Sequence, residues 1–208
     1  MPPTPPLRCA AIVLAAGAST RFGDIPKALA RVGGESAVER IVRVAQEAGV
    51  SPTVVVVGAH REEIAFALSR TSAIVVNNSA WARGRTGSVQ AGVRAIGADT
   101  EVLLWPVDHP FAARSSIDAL LVTARHDLLA TWLIPTFEGH GGHPVLWRSV
   151  VSPLVLDLDP AEPLRVLLPR LGPQVRRLEV GDRGVTENVD SPGAYYEAMQ
   201  RRREGGSS

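Results

Sequence analysis

One stretch near the start of the chain decides the fold: Leu14-Ala-Ala-Gly-Ala-Ser-Thr-Arg-Phe-Gly-Asp-Ile-Pro-Lys-Ala-Leu29. It continues an apolar run, Ala10-Ala-Ile-Val-Leu-Ala-Ala16, which is typical of a buried strand. Gly17 comes next and can adopt a positive φ, so the chain can turn sharply where the strand ends. The stretch therefore predicts a strand followed by a glycine-containing loop at the edge of a sheet.

The loop after this strand has the residue types that hold an anion. Successive backbone N–H groups in such a turn can form a concave nest for negative charge, and small side chains around Gly17 let a ligand approach the backbone. Arg21 would add a forked guanidinium group, and Lys27 a point charge, on phosphate oxygens. We therefore expect the loop to hold a triphosphate. The alternative is a loop that only joins a strand to a helix.

Two common phosphate-binding motifs do not fit this loop. A Walker loop needs Gly, four residues and then Gly-Lys-Ser/Thr, and Lys27 has no such neighbours. A dinucleotide-binding fingerprint needs Gly-x-Gly-x-x-Gly, whereas only Gly17 and Gly23 fall in the window. The sequence therefore disfavours a nicotinamide-dependent oxidoreductase.

Apolar runs alternate with helical periodicity along the rest of the chain. The predicted strands are 10–16, 53–57, 73–76, 101–105 and 129–134, with less regular ones at 144–147 and 175–180. The predicted helices are 38–48, 62–68, 86–96, 115–125, 163–171 and 194–203. Strands separated by single helices indicate a largely parallel sheet. We expect one α/β domain over residues 9–203, a Rossmann-like three-layer α/β/α sandwich, between disordered segments at 1–8 and 204–208.

Composition limits the partners. Of 208 residues, 22 are Lys or Arg and 21 are Asp or Glu, so the net charge of +1 gives no basic field for nucleic acid or an anionic membrane. The single cysteine, Cys9, fits a reducing cytoplasm. The start lacks the pattern of a signal peptide, and no apolar run approaches the ~18 residues of a membrane helix. We therefore expect a soluble cytoplasmic protein.

One aspartate, Asp108, is a candidate metal ligand by its position in the sequence. Asp108 follows the strand that ends at Pro106, which places it at the ligand-binding edge of a parallel sheet. Mg²⁺ favours one or two carboxylates together with phosphate oxygens, so a single strand-end aspartate suits it. Asp190 precedes the last predicted helix. The alternative role for Asp108 is a turn residue, and the sequence alone favours a helix cap for Asp190.

Two further loops are candidates for ligand contact. In Asn77-Asn-Ser-Ala-Trp-Ala-Arg-Gly-Arg-Thr-Gly-Ser88, Gly84 would let a nucleobase approach the backbone, and Asn77 and Ser88 could hydrogen-bond its edge. The alternative is a helix start that Ser88 or its neighbour Thr86 merely caps. In Gly139-His-Gly-Gly-His-Pro-Val-Leu146, the glycines permit close approach and a histidine could hydrogen-bond a phosphate.

From Cys9 to about Met199, these motifs resemble those of the nucleotidyltransferases with a Rossmann-like fold. The pattern Leu14-Ala-Ala-Gly-x-Ser-x-Arg-x-Gly-x-x-x-Lys27 and the Gly-His-Pro stretch are most similar to the molybdenum cofactor cytidylyltransferase group. The sequence departs from the family at Asn188, where relatives carry Asp, and at His109, where they often carry Gln. The resemblance implies catalysis by Arg21 and Lys27, nucleotide binding by Leu14, Ala15, Ala16, Gly17, Ala18, Asn77, Gly84 and Ser88, Mg²⁺ binding by Asp108 and Asp190, and acceptor binding by Gly142 and His143.

The implied fold is of the nucleotide-diphospho-sugar transferase type. The implied reaction moves a nucleoside monophosphate, CMP from CTP by the Ala-Ala-Gly form, onto a phosphorylated acceptor of molybdopterin type and releases pyrophosphate. Such an acceptor would also imply a transient contact with a molybdoenzyme. The alternatives are a sugar- or polyol-phosphate nucleotidylyltransferase, which Arg85-Thr-Gly-Ser-Val-x-x-Gly92 also resembles, and a non-catalytic nucleotide-binding chaperone or regulator.

Overall fold

The structure, a computed structural model, describes residues 7–20, 22 and 25–205, with side chains described as far as Arg202. Arg21, predicted to be catalytic, lies outside the described residues. So do residues 1–6 and 206–208 of the two segments expected to be disordered. Within the described ranges, no helix combines the length and the apolar character that crossing a membrane requires.

Strands and helices alternate as the sequence predicts. The strands in the described ranges are β1 (Cys9–Ala15), β2 (Arg31–Val32), β3 (Glu35–Ser36), β4 (Thr53–Val57), β5 (Ile74–Asn77), β6 (Glu101–Pro106), β7 (Trp132–Phe137), β8 (His140–Gly141), β9 (Val145–Trp147) and β10 (Val175–Glu179). The helices are α1 (Ala37–Glu47), α2 (Arg61–Ala67), α3 (Arg85–Ile96), α4 (Arg114–His126), α5 (Ser152–Leu156), α6 (Leu168–Leu171) and α7 (Pro192–Gly205).

The main sheet has eight strands and is mostly parallel, which confirms the predicted fold class. Its order is β10-β7-β9-β6-β1-β4-β5, with β8 added to β7, and β9 runs antiparallel to both of its neighbours. The chain goes from β1 outward to β4 and β5, then returns to β6 on the other side of β1. The strand order therefore reverses between β1 and β6, and ligands of such sheets bind at the carboxyl ends of the strands at this point.

Alternate residues of β1 face two different cores, so the sheet is covered on both sides. Ala11 and Val13 join a core that includes Ile41 of α1 and Leu120 of α4. On the opposite face, β1 packs in a second core against α3, where a Cβ at Gly92 would lie 2.5 Å from Ile12 Cγ2. The close approach of α3 to β1 therefore depends on glycine, and the three-layer arrangement is confirmed.

The structure departs from the predicted elements where turns override the apolar pattern. The strand predicted at 129–134 begins at Trp132 instead, because Asp127 Oδ1 accepts the N–H groups of Leu129 and Ala130 in a turn. The β2–β3 hairpin and α5 are not predicted at all. The hairpin delivers Ser36 as the N-cap of α1, whose capping box it completes with Glu39.

Candidate active site

A cavity of about 230 Å³ lies at the point where the strand order reverses. The carboxyl ends of β1 and β6 border it, since Leu14 of β1 pairs with Pro106 of β6. Several residues predicted from the sequence meet here. Among the lining residues are Leu14, Ala15, Ala16, Gly17, Lys27 and Asp108.

Backbone and side-chain hydrogen bonds shape the loop that leaves β1. The Ala59 N–H donates to the carbonyl oxygen of Ala16 (3.1 Å), and the Lys27 N–H donates to Ser19 Oγ (3.1 Å). A positive φ lies at Ser19 (53°), where it costs a non-glycine residue about 1–2 kcal/mol. Gly17 leaves open space, because no heavy atom lies within 4 Å of where its Cβ would be. The loop therefore exposes backbone to the cavity, as expected for a phosphate-holding turn.

Lys27 brings the two predicted metal-binding residues together. Its Nζ lies 2.6 Å from Asp190 Oδ1 and 3.8 Å from Asp108 Oδ2. Asp108 is largely buried, and its Oδ1 has no hydrogen-bond partner in the part of the chain that the structure describes. A buried carboxylate oxygen without a partner is costly. The arrangement leaves this oxygen available to a cation.

The segment before α7 carries Asp190 to the site from the far end of the chain. The Val189 N–H donates to the carbonyl oxygen of Asp108 (2.7 Å). Glu187, two residues earlier, has a side chain only 9% exposed and accepts from Arg202 Nη2 at 2.6 Å. Arg201 Nε lies 3.4 Å from the same carboxylate. Because both arginines belong to α7, this cluster fastens the helix to the segment that holds Asp190.

A buried histidine, His109, and a partly buried one, His143, lie next to each other at the site. The rings of His109 and His143 have centroids 4.8 Å apart and are tilted by 57°. Burial lowers the pKa of His143 to about 3, helped by the charges of His109 and Arg85. Burial also lowers the pKa of His109, against the opposing effect of Asp108. Both rings are therefore neutral near pH 7. Their Nδ1 atoms are buried and lack a hydrogen-bond partner among the described residues.

Of the predicted base-binding residues, Ser88 reaches the cavity. It is buried, and its Oγ accepts a hydrogen bond from Asn78 Nδ2 (3.0 Å). Asn77 is exposed at the end of β5 and is not part of the lining. Gly84 has a φ of 148°, and a Cβ there would lie 2.1 Å from the carbonyl oxygen of Pro160. Gly84 thus lets the loop at Pro160 pack against the start of α3.

A second cavity of about 600 Å³ adjoins the first, because Leu14, Arg85 and Pro106 line both. The predicted acceptor-binding residues Gly142 and His143 are part of its lining. Its volume is in the range of about 300–1,000 Å³ that is typical of small-molecule sites. The two cavities therefore share part of their walls, so ligands bound in the two would lie near each other.

Sequence reasoning missed several residues of this site. Arg85 begins α3 at the junction of the two cavities, and its position after Gly84 was the available signal. Trp81, to which the sequence analysis assigns no role, also lines the first cavity. Ala18, a predicted nucleotide-binding residue, has its carbonyl oxygen 3.0 Å from Nε2 of His60, a contact between loops that no local pattern indicates.

The donor set fits a magnesium ion that brings phosphate ligands with it. The described residues contain no group of three or more His, Cys, Asp or Glu side chains that could hold a metal by themselves. Mg²⁺ needs only one or two protein carboxylates when phosphate oxygens and water complete the shell. The unpartnered Oδ1 of Asp108, with Asp190 on the other side of Lys27, matches that requirement.

Comparison with known proteins gives the family and a distant relative. The family described as the MobA-like NTP transferase domain matches residues 11–175. The chain is also 25% identical over 193 residues to the nicotine blue oxidoreductase of Paenarthrobacter nicotinovorans. That match covers 90% of this chain and 95% of the relative.

Solved structures share the fold over almost the whole chain. A nucleotidyl transferase from Methanothermobacter superposes with a TM-score of 0.80 at 22% identity, covering 95% of this chain and 99% of its own. The molybdopterin-guanine dinucleotide biosynthesis protein A of Archaeoglobus fulgidus gives a TM-score of 0.70 at 18% identity, covering 94% and 99%. At these identities the likeness establishes the fold, which is the expected nucleotidyltransferase type.

Proposed function

This chain belongs to the MobA-like NTP transferase domain family, and we propose that it transfers CMP from CTP to a phosphorylated acceptor of molybdopterin type, releasing pyrophosphate. One observation carries the proposal. Lys27 Nζ lies between Asp108 and Asp190, in a cavity bordered by a backbone loop at the reversal point of the sheet. That arrangement offers a triphosphate an ammonium group and backbone N–H groups, and it offers a metal ion two carboxylates.

The reaction needs positioning and charge neutralisation more than proton transfer. A phosphate oxygen of the acceptor attacks the α-phosphorus of CTP, and the bond to the leaving pyrophosphate breaks. Because the acceptor phosphate is already ionised, no general base is required. Lys27 would stabilise the negative charge that develops on the α-phosphate oxygens. Arg21 and the backbone N–H groups of 16–18 would hold the pyrophosphate.

A magnesium ion would be held by Asp108 and Asp190. When bound, such an ion neutralises charge on the phosphate oxygens. The protein's own contribution is to keep the Asp108 carboxylate rigid and partly desolvated, since its Oδ1 is buried without a partner among the described residues. In the structure Lys27 lies between the two carboxylates, so we expect its side chain to turn toward the phosphates when the metal–nucleotide complex binds.

The remaining predicted residues would orient the two substrates. Ser88, which lines the first cavity, would contact the cytosine. His143 would hydrogen-bond the acceptor, because its ring is neutral and its buried Nδ1 has no partner in the described part of the chain. Gly142 keeps that histidine in place. A Cβ at Gly142 would lie 2.2 Å from the carbonyl oxygen of Val185, which accepts the His143 N–H.

Pyrophosphate release tests the proposal directly. The assay contains CTP, Mg²⁺ and a molybdopterin-type acceptor, with ATP, GTP and UTP in parallel to establish the preferred base. We expect release with the wild type and with the control Asp99→Asn, an exposed aspartate away from the cavity. The Asp108→Asn variant should lose most of the pyrophosphate release. Binding of nucleotide with no release across a panel of sugar phosphate, polyol phosphate and pterin acceptors would favour the non-catalytic chaperone instead.

Oxidoreduction is a second candidate, favoured by the match to nicotine blue oxidoreductase across nearly the whole chain. The glycine fingerprint of a dinucleotide site is missing, and hydride transfer has no need of two carboxylates around a lysine. Calorimetric titration with NADH or NADPH distinguishes the oxidoreductase from the nucleotidyltransferase. Tight dinucleotide binding that Asp108→Asn leaves unchanged, without pyrophosphate release from any nucleotide, would support the oxidoreductase.

A further inference from the structure

The second cavity, which we call the acceptor cavity, combines an apolar lining with three arginines. Trp132 and Ile134 of β7 and Leu168 of α6 form part of its apolar lining. The arginines are Arg85, Arg165 and Arg177. A cavity with these two properties suits a ligand that has an apolar body and negative charge.

The three guanidinium groups lack carboxylate partners. Among the described residues, none of the three forms an ion pair, whereas arginines elsewhere in the chain do so repeatedly. The one carboxylate in the lining, Glu162, accepts the Asp159 N–H at 3.2 Å. Guanidinium forks are well suited to bidentate binding of phosphate, sulfonate or carboxylate groups.

The arginines divide into two sets by position. Arg85 lines both cavities, and its charge contributes to the lowered pKa of His143. Arg165 and Arg177 line the acceptor cavity alone. Arg177 Nη1 lies 3.3 Å from where a Cβ of Gly141 would be, so the glycine makes room for that guanidinium group. An anion at Arg85 would sit next to the nucleotide, and an anion at the other two arginines would sit away from it.

The wall that carries Arg165 is fixed in place. Gln90 of α3 is buried, and its Nε2 donates to the carbonyl oxygens of Leu158 (2.8 Å) and Val155 (3.0 Å). Thr86, also buried, donates its hydroxyl to the carbonyl oxygen of Glu162. These bonds tie residues 155–162 to α3, so this wall of the cavity is preformed and need not be ordered by a ligand.

We propose that the acceptor carries two anionic groups on an apolar body: the reacting phosphate beside Arg85, and a second anionic group held by Arg165 and Arg177. The inference rests on the proposed function for the identity of the reacting phosphate. The inference adds specificity for acceptors that carry a second anionic group. An acceptor with only one anion would leave Arg165 and Arg177, which are exposed, in contact with water.

Two matched probes test this without any turnover. Calorimetry would compare 1-naphthyl phosphate with 5-sulfo-1-naphthyl phosphate, which adds a second anion to the same apolar body. We expect the second probe to bind the wild type about tenfold more tightly, as one charge-assisted hydrogen-bond pair provides. The preference should vanish in Arg165→Gln/Arg177→Gln and persist in Arg94→Gln, an exposed arginine of α3 outside both cavities. Thermal melts of the single and double variants check that the fold is kept.

Three results would overturn the proposal: equal affinity of the wild type for both probes, no binding of either, or a preference that survives in the double variant. These outcomes are separate from those of the pyrophosphate assay, because the probes need not react. A preference that depends on the two arginines in a protein that releases no pyrophosphate would retain the binding site and reject only the transfer reaction.

Discussion

Lys27 Nζ and Asp190 Oδ1 lie 2.6 Å apart although 163 positions separate the two residues in the chain. The contact joins the first loop of the domain to the segment just before its last helix. Asp108, from the middle of the chain, lies 3.8 Å from the same ammonium group. The site thus draws one charged residue from each third of the sequence, and its electrostatics depend on all three being in place.

Replacement of Lys27 should abolish most turnover and leave the fold intact. Its side chain is 16% exposed, and its ammonium group pairs with the carboxylates of Asp108 and Asp190. We therefore expect Lys27→Ala to lower kcat by about 100-fold or more, as for other preorganised charges. Lys27→Arg should retain part of the rate, because it keeps the positive charge but replaces the compact ammonium group with a planar guanidinium group. Stopped-assay pyrophosphate measurements and circular dichroism would check this; a Lys27→Ala enzyme at half the wild-type rate would contradict it.

Asp108→Asn should raise the Mg²⁺ concentration needed for half-maximal rate. The amide keeps the shape of the side chain and removes the negative charge that faces the cavity. Titration of rate against Mg²⁺ at saturating nucleotide would show the shift, with Asp99→Asn as the control at an exposed position. Identical titration curves for the wild type and Asp108→Asn would remove this residue from the metal site.

Glu187→Gln should lower the stability of the fold and weaken the binding of Mg²⁺. Its carboxylate accepts a charge-assisted hydrogen bond from Arg202 and forms an ion pair with Arg201, both of α7. Losing the charge should cost about 1.5–3 kcal/mol of unfolding free energy. Because Asp190 lies three residues further on, the Mg²⁺ requirement should rise as well. The matched control is Glu197→Gln, a 73% exposed side chain on α7 whose ion pair with Arg201 is 3.8 Å long. A purely structural Glu187 would lower the melting temperature and leave the Mg²⁺ titration unchanged.

The protein should lose stability below pH 6.5 through His143. Its folded pKa of about 3 lies below the usual value of about 6.5 for an unfolded chain. Between those values the unfolded state binds a proton that the folded state does not. The contribution of the neutral ring is therefore complete above pH 6.5 and falls by about 1.4 kcal/mol per pH unit as the pH decreases toward 3.

Urea unfolding at pH 7, 6 and 5 would measure this slope. We expect His143→Gln to reduce it, because glutamine does not titrate, and His140→Gln to leave it unchanged, because His140 is exposed. The buried His109 contributes a slope of the same sign, so part of the effect should remain in the His143 variant. Equal slopes in the wild type and His143→Gln would show that this ring is protonated in the folded state.

The sequence was most informative where a side chain lies close to the end of a strand. Lys27 and Asp108 could be predicted because the fold class fixes where the carboxyl ends of β1 and β6 meet. Asp190 required the family resemblance, since only the packing of α7 brings it to the cavity. The Val189 N–H, which donates to the carbonyl oxygen of Asp108 and so holds this segment at the cavity, has no signature in the local sequence.

The acceptor cavity could not be predicted because its residues converge only in three dimensions. Arg85 begins an α-helix, Arg165 lies in a short 3₁₀ helix, and Arg177 lies on an edge strand. No spacing connects them. For the same reason the hydrogen bond from Asn78 to Ser88, ten positions later, is not predicted from the sequence.

Lys27 is the only lysine among the 208 residues, while arginine occurs 21 times. Its place between two carboxylates therefore makes it a unique chemical handle inside the site. Apart from the chain's amino terminus, an amine-directed reagent would find one target, and its rate of modification would report whether the cavity is filled. Selective ¹⁵N labelling of lysine would likewise give a single side-chain ammonium signal. The occupancy of the site could be followed through one nitrogen, without a single engineered substitution.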